Sequence, residues 1–466
     1  MTSYTIFIFR RDFRVKDNLG FQYAVTNFEN IIPIFIFTPE QITNKNKFKS
    51  NNAIQFMIES LQDLDKQLNK NNSKLHIFQD DNIQVLSRIQ KELKNNNNII
   101  NNIIFNKDYT VYAKTRDSQI EKWCNKNSIK CHQIEDYLLA PVGTFLKNDG
   151  NPYTVYTPFK NYVLDNKNKI ISPSKYKIKN LVKMSQKDLK TDGYINFDYN
   201  NPDILIHGGR NNAKKILNKI HKFTNYDTSR NDLSYETTHL SAYIKFGCLS
   251  IRECYQSISK SFGTNSILIS QLIWREFYFY IANYFPKVLQ GENYNKKYDT
   301  IQWNKDNTLF TKWCEGKTGY PIVDACMNEL NITGYMHNRG RLISANFLNR
   351  MLGQDWRKGE KYFAQQLTDY DPSVNNGNWQ WIASTGVDPK PYFQRLFNPW
   401  LQGQKNDPDA KYIKKWLPQL KEIPPKELND WENYYKNYDL KKIKYLAPIV
   451  NYKDARQKSI EMYRNL

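Results

Sequence analysis

The chain has 466 residues, 40% of them apolar, and 67 Lys plus Arg outweigh 46 Asp plus Glu to give a formal net charge of +21. Length and apolar content exclude a disordered chain and leave room for two or three domains with a large core. The positive excess points to a polyanionic partner, nucleic acid before an anionic membrane surface, over a background of Lys and Asn enrichment visible in runs such as Asn95-Asn-Asn-Asn98.

Six cysteines stand at 124, 131, 248, 254, 314 and 326 without a CxxC pair, so neither a disulfide framework nor a metal site is expected. The N-terminus enters a strand at once, with no signal peptide, and no apolar run reaches the ~20 residues of a membrane helix. The expectation is a soluble intracellular monomer, in cytoplasm or nucleus.

Residues 4–9 and 31–37 read as continuous buried-type strands, and 75–78 and 103–105 as shorter ones. Helical spacing covers 51–68, 85–93 and 115–123. Short apolar strands alternating with helices predict a mostly parallel, Rossmann-like sheet covered on both faces, an α/β unit over 1–135. No GxGxxG follows the first strand, so the usual dinucleotide fingerprint is absent. From 136 to 204 prolines, lysines and asparagines dissolve the pattern into a long linker wrapping the surface, with an anchored turn near 153–160. Beyond 205 helices dominate, at 210–223, 241–260, 266–284, 307–315, 321–331, 336–352, 359–367 and 409–417, an all-α domain running to 466.

Three constellations carry chemistry. On the 266–284 helix, Gln271, Trp274 and Arg275 share one face, and Asn338, Arg341 and Leu342 share another on the 336–352 helix, with Arg339 turned away. Trp379 and Trp381, two apart, point to opposite sides of a helix. Trp274 and Trp381 are therefore candidates to sandwich a flat ligand, against the plain alternative of core packing. Second, Tyr226, Arg230 and Thr237-Thr-His-Leu-Ser241 place hydroxyls at a helix start, where they cap it or welcome phosphate. Third, Asp369 and Asp371 are suited to acid–base work, to binding a metal, or to pairing Arg341 and accepting N–H groups of a heterocycle, the last preferred here because no His or Cys cluster accompanies them.

Together, Thr237-Thr-x-Leu-Ser241, Leu272-Ile-Trp-Arg-Glu-Phe-Tyr278, Gly316-Lys-Thr-Gly-Tyr-Pro-Ile-Val-Asp-Ala325, Thr333-Gly-Tyr-Met-His-Asn-Arg339, Asp355-Trp-Arg357 and the run 375–381 resemble the photolyase/cryptochrome family. The likeness is closest to class I cyclobutane pyrimidine dimer photolyases. It spans nearly the whole chain, including Phe9-Arg-Arg-Asp-Phe-Arg14.

The resemblance implies an α/β antenna domain and a helical domain holding FAD, used as reduced FADH⁻. The cofactor's phosphates would lie near Tyr226, Thr237, Thr238, Leu240 and Ser241, and its ring near Arg341, Asp369 and Asp371, with Asn375 facing flavin N5. Trp303, Trp356 and Trp379 match the electron-transfer chain that photoreduces the flavin. Gln271, Trp274, Asn338, Leu342 and Trp381 match the pocket for the dimer, flipped out of UV-damaged DNA. Arg230, Trp274, Arg275, Arg339, Trp381 and Lys405 match DNA contacts.

Three residues depart from the family pattern. Gln271 stands where class I enzymes carry Glu, Leu342 where they carry Met, and Tyr112-Ala113 where folate-binding relatives carry Asn-Glu. The antenna chromophore is then a deazaflavin, a second flavin, or absent. The implied activity is light-driven splitting of the dimer by electron transfer, a deoxyribodipyrimidine photo-lyase reaction. The alternatives are a (6-4) photolyase, whose two catalytic His would fall at Asn338 and Leu342, a cryptochrome-type blue-light receptor, and a non-catalytic DNA-binding protein.

Overall fold

The computed structural model describes residues 1–388, 391–464 and 466. Five strands, β1 (Ser3–Phe9), β2 (Ile31–Phe37), β3 (His76–Gln79), β4 (Ile99–Lys107) and β5 (Lys130–Glu135), form one sheet in the order β3-β2-β1-β4-β5. Every neighbouring pair is parallel. Parallel pairing requires crossover helices, and these cover both faces. The alternation of β1 shows the consequence. Phe7 and Phe9 enter one core with Phe35 and Phe37, while Ile6 and Ile8 enter another with Leu86 and Ile89.

The sequence reading missed β5, whose Lys130-Cys-His-Gln-Ile-Glu135 is half-buried and polar. It borders the sheet, pairing only with β4, so it never needed the continuous apolar run that marked the inner strands.

The core beneath Phe7 and Phe35 does not stop at the sheet. It runs through Phe13, Phe246 and Tyr243 into Phe277 and Tyr280 of the helix Ile267–Tyr284. The α/β and helical parts therefore share one apolar interior. A separate cluster built on Trp313, Trp356, Trp379 and Trp431 fills the remaining helical part.

Several expected elements differ. The helix expected over 241–260 is two, Ser241–Lys245 and Ile251–Phe262, broken at Gly247. Gly247 has φ +64°, and a Cβ there would meet the Arg11 carbonyl oxygen at 2.4 Å. The break lets the Arg11–Asp12 backbone press into the helical part, with Phe13 N donating to Phe246 O at 3.1 Å. The turn expected near 153–160 is instead the helix Tyr156–Asp165. Tyr156 from that helix stacks on Trp274 at 3.4 Å between ring centroids and 7° between planes.

Candidate functional site: a carboxylate–arginine cradle and its neighbouring tryptophans

The helix Asn338–Asn346 begins at His337, whose Nδ1 accepts from Arg339 N at 3.1 Å. Its last turn passes into a π-helix, Phe347–Met351, where the sequence had suggested one uniform helix over 336–352. Arg341, one turn in, donates from Nε to the Met336 carbonyl at 2.8 Å and from Nη2 to Asp369 Oδ2 at 2.9 Å. Ser241 Oγ donates to the same Oδ2 at 2.6 Å. Burial alone would lower the Arg341 pKa, but the Asp369 charge and hydrogen bond, with Tyr335 and Glu329 nearby, together raise it. Asp369 is 8% exposed, and its Oδ1 is buried with no partner among the described residues. An unmatched buried carboxylate oxygen costs ~1–3 kcal/mol. It fits a ligand N–H.

Asp371 departs from the expected ring contact. Its Oδ1 caps the helix Pro372–Ala383 by accepting from Ser373 N at 3.0 Å, and its Oδ2 accepts from Arg11 at 2.8 Å. As placed, it positions the helix that carries Asn375, Trp379 and Trp381. Asn375 Nδ2 donates to the Glu360 carbonyl at 3.1 Å, leaving Oδ1 without a partner among the described residues. Burial pushes the Glu360 carboxyl up to about 7.

Of the hydroxyl group, Ser241 is exposed, Thr237, Thr238 and Tyr226 are half-buried, and Leu240 is buried in the core. A cleft of about 610 Å³ opens beside Tyr226, between residues 223–227 and 262–268. It touches none of the other expected cofactor residues.

The residues expected to line the dimer pocket are all at least partly accessible. Gln271, Trp274, Leu342 and Trp381 are half-buried and Asn338 is exposed. Gln271 has no hydrogen-bond partner among the described residues. Tyr156 stacks on one face of Trp274. Trp381 carries the Arg395 guanidinium 4.1 Å from its ring centre and donates from Nε1 to Asp388 at 3.3 Å. Trp379 lies on the opposite side of the helix, 2% exposed, against Phe363 at 4.9 Å. The expected opposition of the two tryptophans is present.

Trp356 is fully buried and donates to Asn293 Oδ1 at 3.0 Å, while half-buried Trp303 meets Tyr463 at 6.5 Å. Trp313, which the sequence reading left aside, stands edge-on to Trp379 at 6.2 Å.

Among the expected DNA contacts, Lys405 is exposed and Arg230 and Arg339 are half-buried. Arg339 donates to Asn231 at 2.6 Å, and its pKa is lowered by burial and by the neighbouring Arg230 charge. Two facing cations with unsatisfied Nε groups suit an anion between them. Arg275 is corrected. It turns inward, donates to the Tyr137 carbonyl at 2.8 Å and lies over Phe279 at 4.4 Å, so its charge serves the interior and not a DNA phosphate.

Sheet, helical shell and an ionic cradle flanked by aromatics define a protein that holds a large polar cofactor in a helical domain. The comparisons narrow this. Residues 5–175 match the family model described as DNA photolyase, and 268–465 match the FAD binding domain of DNA photolyase. The deoxyribodipyrimidine photo-lyase of a Synechococcus strain is 32% identical over 100% of this chain and 97% of its own length. That of Buchnera aphidicola from Acyrthosiphon pisum is 33% identical over 98% and 96%. The solved archaeal photolyase from Sulfolobus tokodaii, described with two FAD molecules, superposes with a TM-score of 0.86 at 38% identity, covering 99% of this chain and 100% of that one. The chain belongs to the DNA photolyase family.

Proposed function

We propose that this protein is a light-driven DNA repair enzyme that splits cyclobutane pyrimidine dimers in UV-damaged DNA. The unpartnered Asp369 Oδ1 beside the Arg341 ion pair carries this reading, since it fits the N–H-bearing edge of a flavin ring. Residues 205–466 act as the cofactor and lesion domain, 1–135 as the antenna domain, and 136–204 as the connection between them.

FAD, when bound, supplies the light-absorbing electron donor. Asp369 and Arg341 orient its ring, and Thr237, Thr238, Ser241 and Tyr226 offer hydroxyls to its phosphates. Asn375 offers an amide oxygen at the ring edge. Trp379, with Trp356 and Trp303 behind it, supplies oxidisable rings leading towards the surface. Trp274 and the ring of Trp381 receive the flipped bases, where stacking contributes ~1–3 kcal/mol per base. Gln271 donates or accepts at a base edge, and Arg230 and Arg339 hold a backbone phosphate.

An antenna chromophore at the carboxyl ends of β1 and β2, the usual ligand position in such sheets, would require side chains to move aside, because the crevice there holds only about 10 Å³. Arg10, Thr38, Tyr112 and Arg116 line it, and Arg10 and Arg116 keep buried N–H groups unpaired there. Tyr112 Oη bridges to Thr38 Oγ1 at 3.3 Å.

The test is a comparison of lesions. Illuminated protein should restore an oligonucleotide carrying a thymine dimer and leave a (6-4) product intact. The reverse preference would assign the site to (6-4) repair.

A further inference from the structure

Residues 167–190 hold eight lysines and one acidic residue, Asp188, a third of the chain's net charge of +21 in about a twentieth of its length. A genome-wide bias towards lysine spreads charge along a chain and does not explain that concentration. All eight lysines are exposed, and none pairs with a carboxylate among the described residues.

The middle of the segment is held extended. Tyr176 Oη donates to the Val15 carbonyl at 2.9 Å, Ile178 packs against the core, and Asn180 Nδ2 donates to the Phe28 carbonyl at 3.0 Å. Backbone bonds from Ile31 N to Asn180 O at 2.8 Å and from Val182 N to Ile31 O at 2.9 Å anchor its far end at the first residue of β2, where left-handed Asn180, at φ +62°, ends the extended run. With alternate side chains pinned inward, Lys175, Lys177 and Lys179 stand outward in a row, ~6.6 Å apart in extended backbone. Each exposed position of this row is a lysine, with no neutral or acidic residue interleaved.

We infer that this lysine ladder is a second, sequence-independent contact for the sugar–phosphate backbone, engaging DNA that flanks the lesion. The inference rests on the proposed function for the identity of the polyanion. A fixed row of unpaired cations matches a regular row of phosphates, and its contribution arises from counterion release and not from base contacts. No hydrogen bond or ion pair links the ladder to Trp274, Trp381, Arg230 or Arg339 among the described residues, so the two contacts are separable by substitution.

The experiment uses the full chain carrying Lys175→Gln, Lys177→Gln and Lys179→Gln together. An equal-charge control replaces the exposed Lys436, Lys441 and Lys442. Affinity for a long undamaged duplex is measured across salt concentrations, and repair of a short dimer-bearing oligonucleotide is measured alongside. The ladder variant should show a log–log salt slope shallower by ~2–3, at ~0.9 per phosphate contact. The control should keep the wild-type slope, and both should repair the short oligonucleotide at the wild-type rate. An unchanged ladder slope, or an equal change in the control, overturns the inference. So does a ladder variant that loses binding only to phosphatidylserine vesicles, which would assign the row to a membrane. Failure of wild-type repair would instead count against the proposed function and leave the salt slopes readable.

Discussion

Arg11 reaches Asp371 at 2.8 Å across 360 positions of sequence, and its other amino group reaches Asp108 at 2.7 Å. One guanidinium thus ties the end of β1 and the loop after β4 to the residue capping the Asn375 helix. Burial works against the charge, but the two carboxylates outweigh it and raise the Arg11 pKa. Replacing Arg11 with Ala would leave two buried carboxylates uncompensated. We expect a loss of about 3–5 kcal/mol in chemical denaturation, with Arg11→Lys retaining part of it.

Asp369→Asn should weaken FAD binding by at least ~10-fold, since a hydrogen bond to a charged group contributes about 1.5–3 kcal/mol. The change keeps side-chain volume but removes the charge opposite Arg341. Titration of flavin-free protein with FAD, and the flavin content of purified protein, provide the measurement. Unchanged affinity would mean that the unpaired Oδ1 faces no ligand.

Gln271 has a free amide where class I relatives carry a carboxylate. Gln271→Glu should raise dimer affinity and repair yield by ~3–10-fold, because charge-assisted hydrogen bonds are roughly twice as strong as neutral ones. Equal binding and yield in the two proteins would show that Gln271 does not touch the lesion.

Buried carboxyls make stability depend on pH. Burial raises Glu276 to about 8, Glu360 to about 7 and Asp324 to about 6, above unfolded values of 4.5 for Glu and 3.8 for Asp. Between about pH 4.5 and 8 the folded state therefore binds more protons than the unfolded state, and stability falls as pH rises, by up to ~1.4 kcal/mol per unit for each group in its own window. Glu276→Gln keeps an acceptor for Leu139 N, which donates to Oε1 at 3.1 Å. It should flatten the upper part of the profile in denaturation curves taken at several pH values.

Much of this was legible in the sequence. Continuous apolar strands and helical spacing gave the α/β-then-helical order, and the Asn338, Arg341 and Leu342 spacing placed the cradle's arginine. Polar β5 was invisible because an edge strand needs no apolar run. The break at Gly247 was invisible because its cause, the Arg11 backbone, lies more than 200 positions away. Sequence separation also hid the roles of Arg11, 360 positions from Asp371, and Tyr156, 118 positions from Trp274. Neither spacing on one helix nor a motif match reveals a partner supplied by another segment, as the Tyr137 carbonyl is for Arg275.

The central claim is tested most directly by mixing photoreduced protein with an oligonucleotide containing one thymine dimer and following dimer loss under blue light and in darkness. The account predicts restoration of intact thymines only in the light. Flavin-loaded, photoreduced protein that binds the oligonucleotide yet leaves the dimer intact under illumination would contradict it.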